Sequence, residues 1–132
     1  MDIQYAVNQI PVVEEIIDVY VSSGIRRPVE DLQRISKMYR YANLVITARH
    51  GGQLVGVARS LTDFCYSCYL SDLAVRKEYQ RQGIGKKLIE LTLQEIGEQS
   101  MLLLLAAPEA MDYYPHLGFM RVENGFLIPR KK

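Results

Sequence analysis

The chain has 132 residues, 48% of them apolar and 23% charged, which suits one folded domain over residues 1–132 with its own core and excludes two. Sixteen basic against fifteen acidic side chains leave a net charge of +1, no field for a nucleic-acid backbone or an anionic membrane. Residues 101–107, the longest apolar run, fall far short of the roughly 20 needed to span a bilayer.

Met1-Asp2-Ile3-Gln4 has no basic stretch leading into an apolar core, so no secretory signal is expected, and the cytoplasm is the expected location. Cys65 and Cys68 are too few for a disulfide scaffold and agree with a reducing compartment. Ile3, Tyr5 and Val7 alternate with polar or small residues and predict a strand. Val13, Ile16, Ile17 and Tyr20 form a helical stripe that stops at Ser22-Ser23-Gly24. Pro28 is placed in the first turn of a second helix carrying Val29, Leu32, Ile35 and Tyr39 on one face. Residues 44–49 and 54–61 read as strands of a hairpin about Gly51-Gly52, and 66–75 as the next strand of the meander.

The helical period returns from Ile84 through Leu88, Leu91, Thr92 and Ile96, and Gly97 ends it. Residues 101–107 are apolar throughout, as in a strand covered on both faces, so strand, helix and strand make one parallel crossover. Pro108 is expected to open a short helix to about Tyr114, and residues 119–122 and 126–128 a terminal hairpin across Asn124-Gly125. The fold class is therefore α/β, a mixed twisted sheet with helices on both faces.

The stretch Gln80-Arg81-Gln82-Gly83-Ile84-Gly85-Lys86-Lys87 lies between a strand and a helix start. A helix N-terminus presents unpaired N–H groups and about half a positive charge, and glycines let the backbone approach a phosphate closely. A nucleotide P-loop needs Gly at 80 and Ser or Thr at 87, where this chain has Gln80 and Lys87. The dinucleotide fingerprint needs a small residue at 88 and an acid ending the next strand, where Leu88 and Ala106-Ala107 stand.

The remaining pattern, Q-x-x-G-x-G at Gln80, Gly83 and Gly85 after Leu73-Ala74-Val75, resembles the cofactor motif of the GNAT superfamily of N-acetyltransferases. Tyr114-Pro115-His116-Leu117-Gly118-Phe119 matches that family's Y-x-x-x-G-F segment, in the right order across a helix and a strand. The resemblance implies acetyl-CoA as cosubstrate, no metal, and transfer of acetyl to an amine by direct attack. It implies that the amides of Arg81, Gln82, Gly83, Ile84, Gly85 and Lys86 bind the pyrophosphate, and that the pantetheine arm pairs with the exposed edge at Leu73, Ala74 and Val75, where the fourth and fifth strands splay. It places Tyr114 as the acid for the leaving thiolate and a backbone N–H near Val75 at the oxyanion. Asp72 is the nearest acidic candidate for the base, and a water chain is an equal alternative. A homodimer follows only by family habit.

The acceptor stays open: small amine, amino acid, polyamine, antibiotic or protein N-terminus. By the same analogy it enters over the loop that holds Arg26 and Arg27, which would suit an acidic group on the acceptor or serve simply as soluble surface. The rival of another class is an acyl-CoA binding or sensing module without turnover. Cys65 and Cys68, three apart on an extended strand, point to opposite faces and make a poor metal or redox pair. His50 is expected in solvent before the Gly-Gly turn, and His116 in a loop.

Overall fold

Four strands run as an antiparallel meander: β1 (Ile3–Val7), β2 (Leu44–His50), β3 (Gln53–Thr62) and β4 (Ser67–Val75). A fifth, β5 (Met101–Leu103), adds to β4 in parallel, giving the sheet order β1-β2-β3-β4-β5. The computed structural model describes all of residues 1–132. Helices α1 (Val13–Ser23) and α2 (Leu32–Tyr41) cover one face and α3 (Ile84–Ile96) the other. The expected mixed sheet with helices on both faces is present.

The alternation of side chains along a strand divides the core in two. Val45, Leu54, Val57 and Ala74 pack under Ile16, Val19, Tyr20, Ile35 and Tyr39 of α1 and α2. Leu44, Ile46, Val55 and Leu70 pack under Ile84, Leu88, Ile89 and Ile96 of α3. Gly56 lets α3 lie close, since a Cβ there would sit 3.2 Å from Leu88 Cδ1 and 3.3 Å from Ile84 Cγ2. No helix is long and apolar enough to cross a membrane.

Several boundaries differ from the sequence expectations. Pro28 is not in the first turn of α2; residues 28–31 form a turn closed by the Asp31 N–H donating to Pro28 C=O at 3.0 Å. The Asp31 side chain then caps the helix by accepting from Arg34 N–H at 3.1 Å, a stronger start than Pro28 offers. The single short helix after Pro108 is two 3-10 turns, Pro108–Ala110 and Tyr114–Leu117. The terminal hairpin does not form: residues 119–132 hold no strand, and Phe126 and Ile128 are 100% and 94% exposed. A two-stranded hairpin that packs on nothing is marginal in water.

The strand expected over residues 101–107 also stops early and is not covered on both faces; Met101 and Leu105 are 55% and 64% exposed. Its cause lies in β4. Leu70 pairs with Ser60 and Asp72 with Arg59, so Ser71 is an extra residue in β4. Such a bulge bends its strand and raises the local twist. The parallel pairs Ser67↔Met101, Cys68↔Leu102 and Tyr69↔Leu103 lie before the bend, and none lies after it.

A buried ionic network ties α1, the loop after it, β3 and β4 together at that bulge. The fully buried Asp72 accepts at Oδ1 from Arg27 Nε (2.6 Å) and Ser71 Oγ (3.2 Å), and at Oδ2 from Tyr20 OH (2.6 Å) and Arg59 Nε (2.7 Å). Since Tyr20 gives its proton to Asp72, Tyr39 donates to Tyr20. Arg27 Nη2 also donates to the Ser71 carbonyl at 2.7 Å.

Burial pushes the Asp72 carboxyl up, and the guanidiniums of Arg59 and Arg27 and the Tyr20 hydroxyl more than offset it, leaving it below the usual range. Burial, first of all, raises Tyr20 and Tyr39 far enough that both stay neutral. Asp72→Asn should destabilise the fold by about 3–5 kcal/mol, as removal of one partner strands the buried arginine charge. Urea unfolding at neutral pH measures the loss. Because the folded carboxyl titrates below the unfolded one, its contribution is complete above the ordinary carboxylate range and disappears as pH falls through the folded value. The variant should lack that part of the acid limb.

Candidate active site

The segment between β4 and α3 is shaped by two left-handed residues. Arg81 has φ 64° and Gly83 has φ 84°, and Gly83 caps α3 without a side-chain bond. The Gln80 side chain anchors the turn, donating from Nε2 to the Val75 carbonyl at 2.9 Å. From Arg81 to Lys86, six consecutive N–H groups have no acceptor within the protein, and Lys87 is the first to donate, to Gly83 C=O at 3.0 Å. Successive free amides at a helix N-terminus form a concave anion site with the dipole behind it.

The edge of β4 is prepared in the same way. Arg76 N–H donates to Val55 C=O, the residue opposite it, at 2.8 Å. In an antiparallel ladder hydrogen-bonded pairs alternate, so the backbone groups of Leu73 and Val75 turn away from β3. They face the gap where β5 no longer pairs. Ala74, by the same alternation, gives its backbone to β3.

This gap is a cleft of about 860 Å³. The free-amide turn lines one part of it, the α1–α2 loop from Ser23 to Arg27 another, and residues 104–107 with Tyr113 and Tyr114 the wall after β5. Its volume is within the range of small-molecule and cofactor sites. A depression of about 400 Å³ between residues 8–16 and 36–43 is smaller and has none of the free amides.

Of the residues singled out from sequence, Leu73, Ala74, Val75, Gln80, Arg81, Gly83, Gly85, Lys86 and Tyr114 line this cleft. Gln82 is exposed, its Nε2 donating to Glu78 C=O at 3.3 Å, and it offers the turn only its amide. Ile84 buries its side chain in the α3 core and likewise offers only an amide. Asp72 lies behind Ser71, outside the cleft lining, with both oxygens engaged.

Tyr114 is half-buried, edge-on to Tyr113 and Phe119 at ring distances of 5.1 and 5.5 Å, and its hydroxyl bonds to no protein group. Burial, then the neighbouring Tyr113, raises its pKa, so it is protonated at neutral pH. Tyr113 is a cleft residue that the motif did not identify. A Cβ at Gly85 would fall 3.0 Å from its hydroxyl, so a side chain there would press on Tyr113. Tyr79 was also missed, and its hydroxyl meets Nδ1 of His50 at 2.7 Å, so His50 is half-buried rather than in solvent. His116 is exposed in the 3-10 turn. Cys65 is exposed and Cys68 buried, and no group of three or more His, Cys, Asp or Glu side chains is placed to hold a metal.

The family model of the acetyltransferase (GNAT) domain matches residues 16–127. The uncharacterized N-acetyltransferase ycf52 of Gracilaria tenuistipitata var. liui is 26% identical over 104 residues, covering 76% of this chain and 57% of that protein. Histone acetyltransferase TAP1 of Glycine max is 32% identical over 104 residues, covering 71% of this chain and 45% of that protein. The chain thus spans about half the length of these two relatives. A probable acetyltransferase from meticillin-resistant Staphylococcus aureus superposes with a TM-score of 0.83 at 24% identity, covering 98% of this chain and all of that one. An aminoglycoside N-acetyltransferase, AAC(6')-Iy, solved in complex with CoA, superposes at 0.72 with 15% identity, covering 100% of this chain and 98% of that one, a likeness of fold alone. By the match over most of its length and by its fold, the chain belongs to the GNAT family of acetyltransferases.

Proposed function

We propose that residues 1–132 are one N-acetyltransferase domain that moves acetyl from acetyl-CoA to a primary amine by direct attack. The observation that carries this is the run of six free amides from Arg81 to Lys86 beside the open β4 edge. Those amides suit a pyrophosphate. The outward groups of Leu73 and Val75 suit the amides of a pantetheine arm, which would pair with them as a strand does. Acetyl-CoA supplies the activated acetyl thioester.

The Val75 carbonyl is already taken by Gln80, leaving its N–H as the donor turned to the gap and suited to a developing oxyanion. The amine nitrogen bonds to the acetyl carbon, the carbon–sulfur bond breaks, and the amine's proton leaves to water. Tyr114 is the acid. A phenol kept protonated can give its proton as a thiolate of pKa about 8.5 departs. Asp72, considered from sequence as the base, is better suited to positioning: its oxygens are occupied and its carboxyl is held acidic. A water chain takes the proton instead. Two free cysteines, one exposed, support a reducing compartment, the cytoplasm in the simplest reading. One relative, of Arabidopsis thaliana, bears the name GCN5-related N-acetyltransferase 2, chloroplastic.

Thermal unfolding with acetyl-CoA, CoA, NAD and ATP in parallel tests the donor. At 100 times its dissociation constant, either CoA ligand should add about 2.7 kcal/mol, and the other two should add nothing. No shift with the CoA ligands would remove the reading; a shift without turnover of any amine would make the domain a sensor. Tyr114→Phe should lower kcat about 100-fold or more while leaving acetyl-CoA affinity unchanged, as expected of a general acid. An unchanged kcat would transfer the proton to another group. Gly85→Val should weaken acetyl-CoA binding, measured by calorimetry, because its side chain meets the Tyr113 hydroxyl at the amide turn.

A further inference from the structure

The side of the cleft formed by the α1–α2 loop, where the acceptor would enter, carries a surplus of arginine charge. Arg26 lines it, is exposed and forms no ion pair, while its backbone carbonyl is held by Arg27 Nη1 at 2.6 Å. Arg27 also lines it, clamped to Asp72 and to the Ser71 carbonyl. Behind Ser71, Arg59 donates to Asp72 and, at 2.9 Å, to Ser71 Oγ. Two guanidiniums therefore share one carboxylate, with Tyr20 and Tyr39 neutral, so this wall carries a net positive charge before Arg26 is added.

The acidic residues nearest to it in the chain do not balance it. Asp31 is used in capping α2 and Glu30 does not line the cleft. Glu109 is the one carboxylate on the lining, in the segment that follows β5.

We propose that the acceptor is an amine that also bears a carboxylate, a free amino acid or a short acidic peptide, whose carboxylate is read by Arg26. This rests on the acyl-transfer reading above and narrows it. Arginine presents a planar fork that matches a carboxylate, and the fixed Arg26 backbone limits the positions its fork can reach. Polyamines and aminoglycosides, which are polycations, meet like charge on this wall and are selected against. The same surplus favours the neutral form of the incoming amine, the form that attacks, so the wall assists deprotonation without a carboxylate base.

The test uses matched amines with wild-type protein and saturating acetyl-CoA: glycine and glycinamide, L-glutamate and its dimethyl ester, the peptides Glu-Glu-Ala and Gln-Gln-Ala, spermidine and kanamycin. Acetylated product is read by mass, and acceptor binding to the CoA-loaded protein by calorimetry. The acid member of at least one pair should exceed its masked partner by about tenfold or more in kcat/KM and should exceed both polycations. The amino-acid and peptide pairs distinguish the two sources of the carboxylate.

Arg26→Ala should raise KM for that acceptor by about tenfold with kcat and acetyl-CoA affinity unchanged, and Arg26→Lys should restore part of the loss. Equal treatment of every pair, preference for spermidine or kanamycin, or an indifferent Arg26→Ala would overturn the inference. So would the absence of both turnover and binding for every acid-bearing member. Failure of the wild-type protein to take up acetyl-CoA would instead bring down the acyl-transfer reading itself.

Discussion

The extra residue Ser71 in β4 is the constraint on which the rest of the molecule depends. Before it, β4 pairs with β5, and after it the two chains part. Had the parallel pairing continued through residues 104–107, the backbone groups of Leu73 and Val75 would be used within the sheet. The bulge converts those groups into an open edge, and the divergence it starts becomes the cleft. A bulge also frees backbone groups of its own, and here the Ser71 carbonyl is taken by Arg27.

That last bond links the cleft to the buried charge network. Asp72 is adjacent in sequence to the bulge, and its two oxygens draw together Arg59 from β3, Tyr20 from α1 and Arg27 from the loop after α1. The guanidinium of Arg59 also lies over the Tyr39 ring at 5.8 Å, bringing in α2. One carboxylate thus fixes the position of the segment from Ser23 to Arg27 that lines the cleft. An apolar cluster of equal volume would hold the helices as well, and replacement of buried ion pairs by packed side chains is often neutral or better for stability. Directional bonds supply orientation: they fix Arg27, and through its bond to the Arg26 carbonyl the backbone of Arg26 as well.

What the sequence made legible follows the range of the interactions involved. The turn at Gln80, Gly83 and Gly85 is local, its conformation set by glycine and by the helix behind it, and its spacing sufficed to locate it. The meander was legible because the gap at Gly51-Gly52 and the alternation of Ile3, Tyr5 and Val7 are local as well. The bulge was not, since Ser71 differs in no pattern from its neighbours and only the register with β3 reveals it. Without the bulge the apolar run 101–107 reads as one covered strand, when only its first three residues pair. Arg59 and Asp72 are partners across strands, and nothing in their spacing announces it. From sequence Asp72 is therefore only the nearest acidic candidate for the base, with a water chain as an equal alternative. Tyr113 is hidden by Tyr114 beside it, and only the folded chain brings its hydroxyl against Gly85.

The two ends of the cleft are positive by different means, and the difference bears on the chemistry. At the α3 end oriented amides, which do not titrate, act together with the cationic side chains of Arg81 and Lys86 that line the same turn. At the other end it comes from arginines alone, Arg27 and Arg59 sharing the single carboxylate of Asp72 and Arg26 having none. Neither of the two candidates named from sequence suits the part of a base: Asp72 is held acidic, and Tyr114 is held protonated. In the proposed reaction the surplus positive charge would lower the stability of an ammonium held against it, and the pH dependence would then follow the acceptor amine rather than Asp72 or Tyr114.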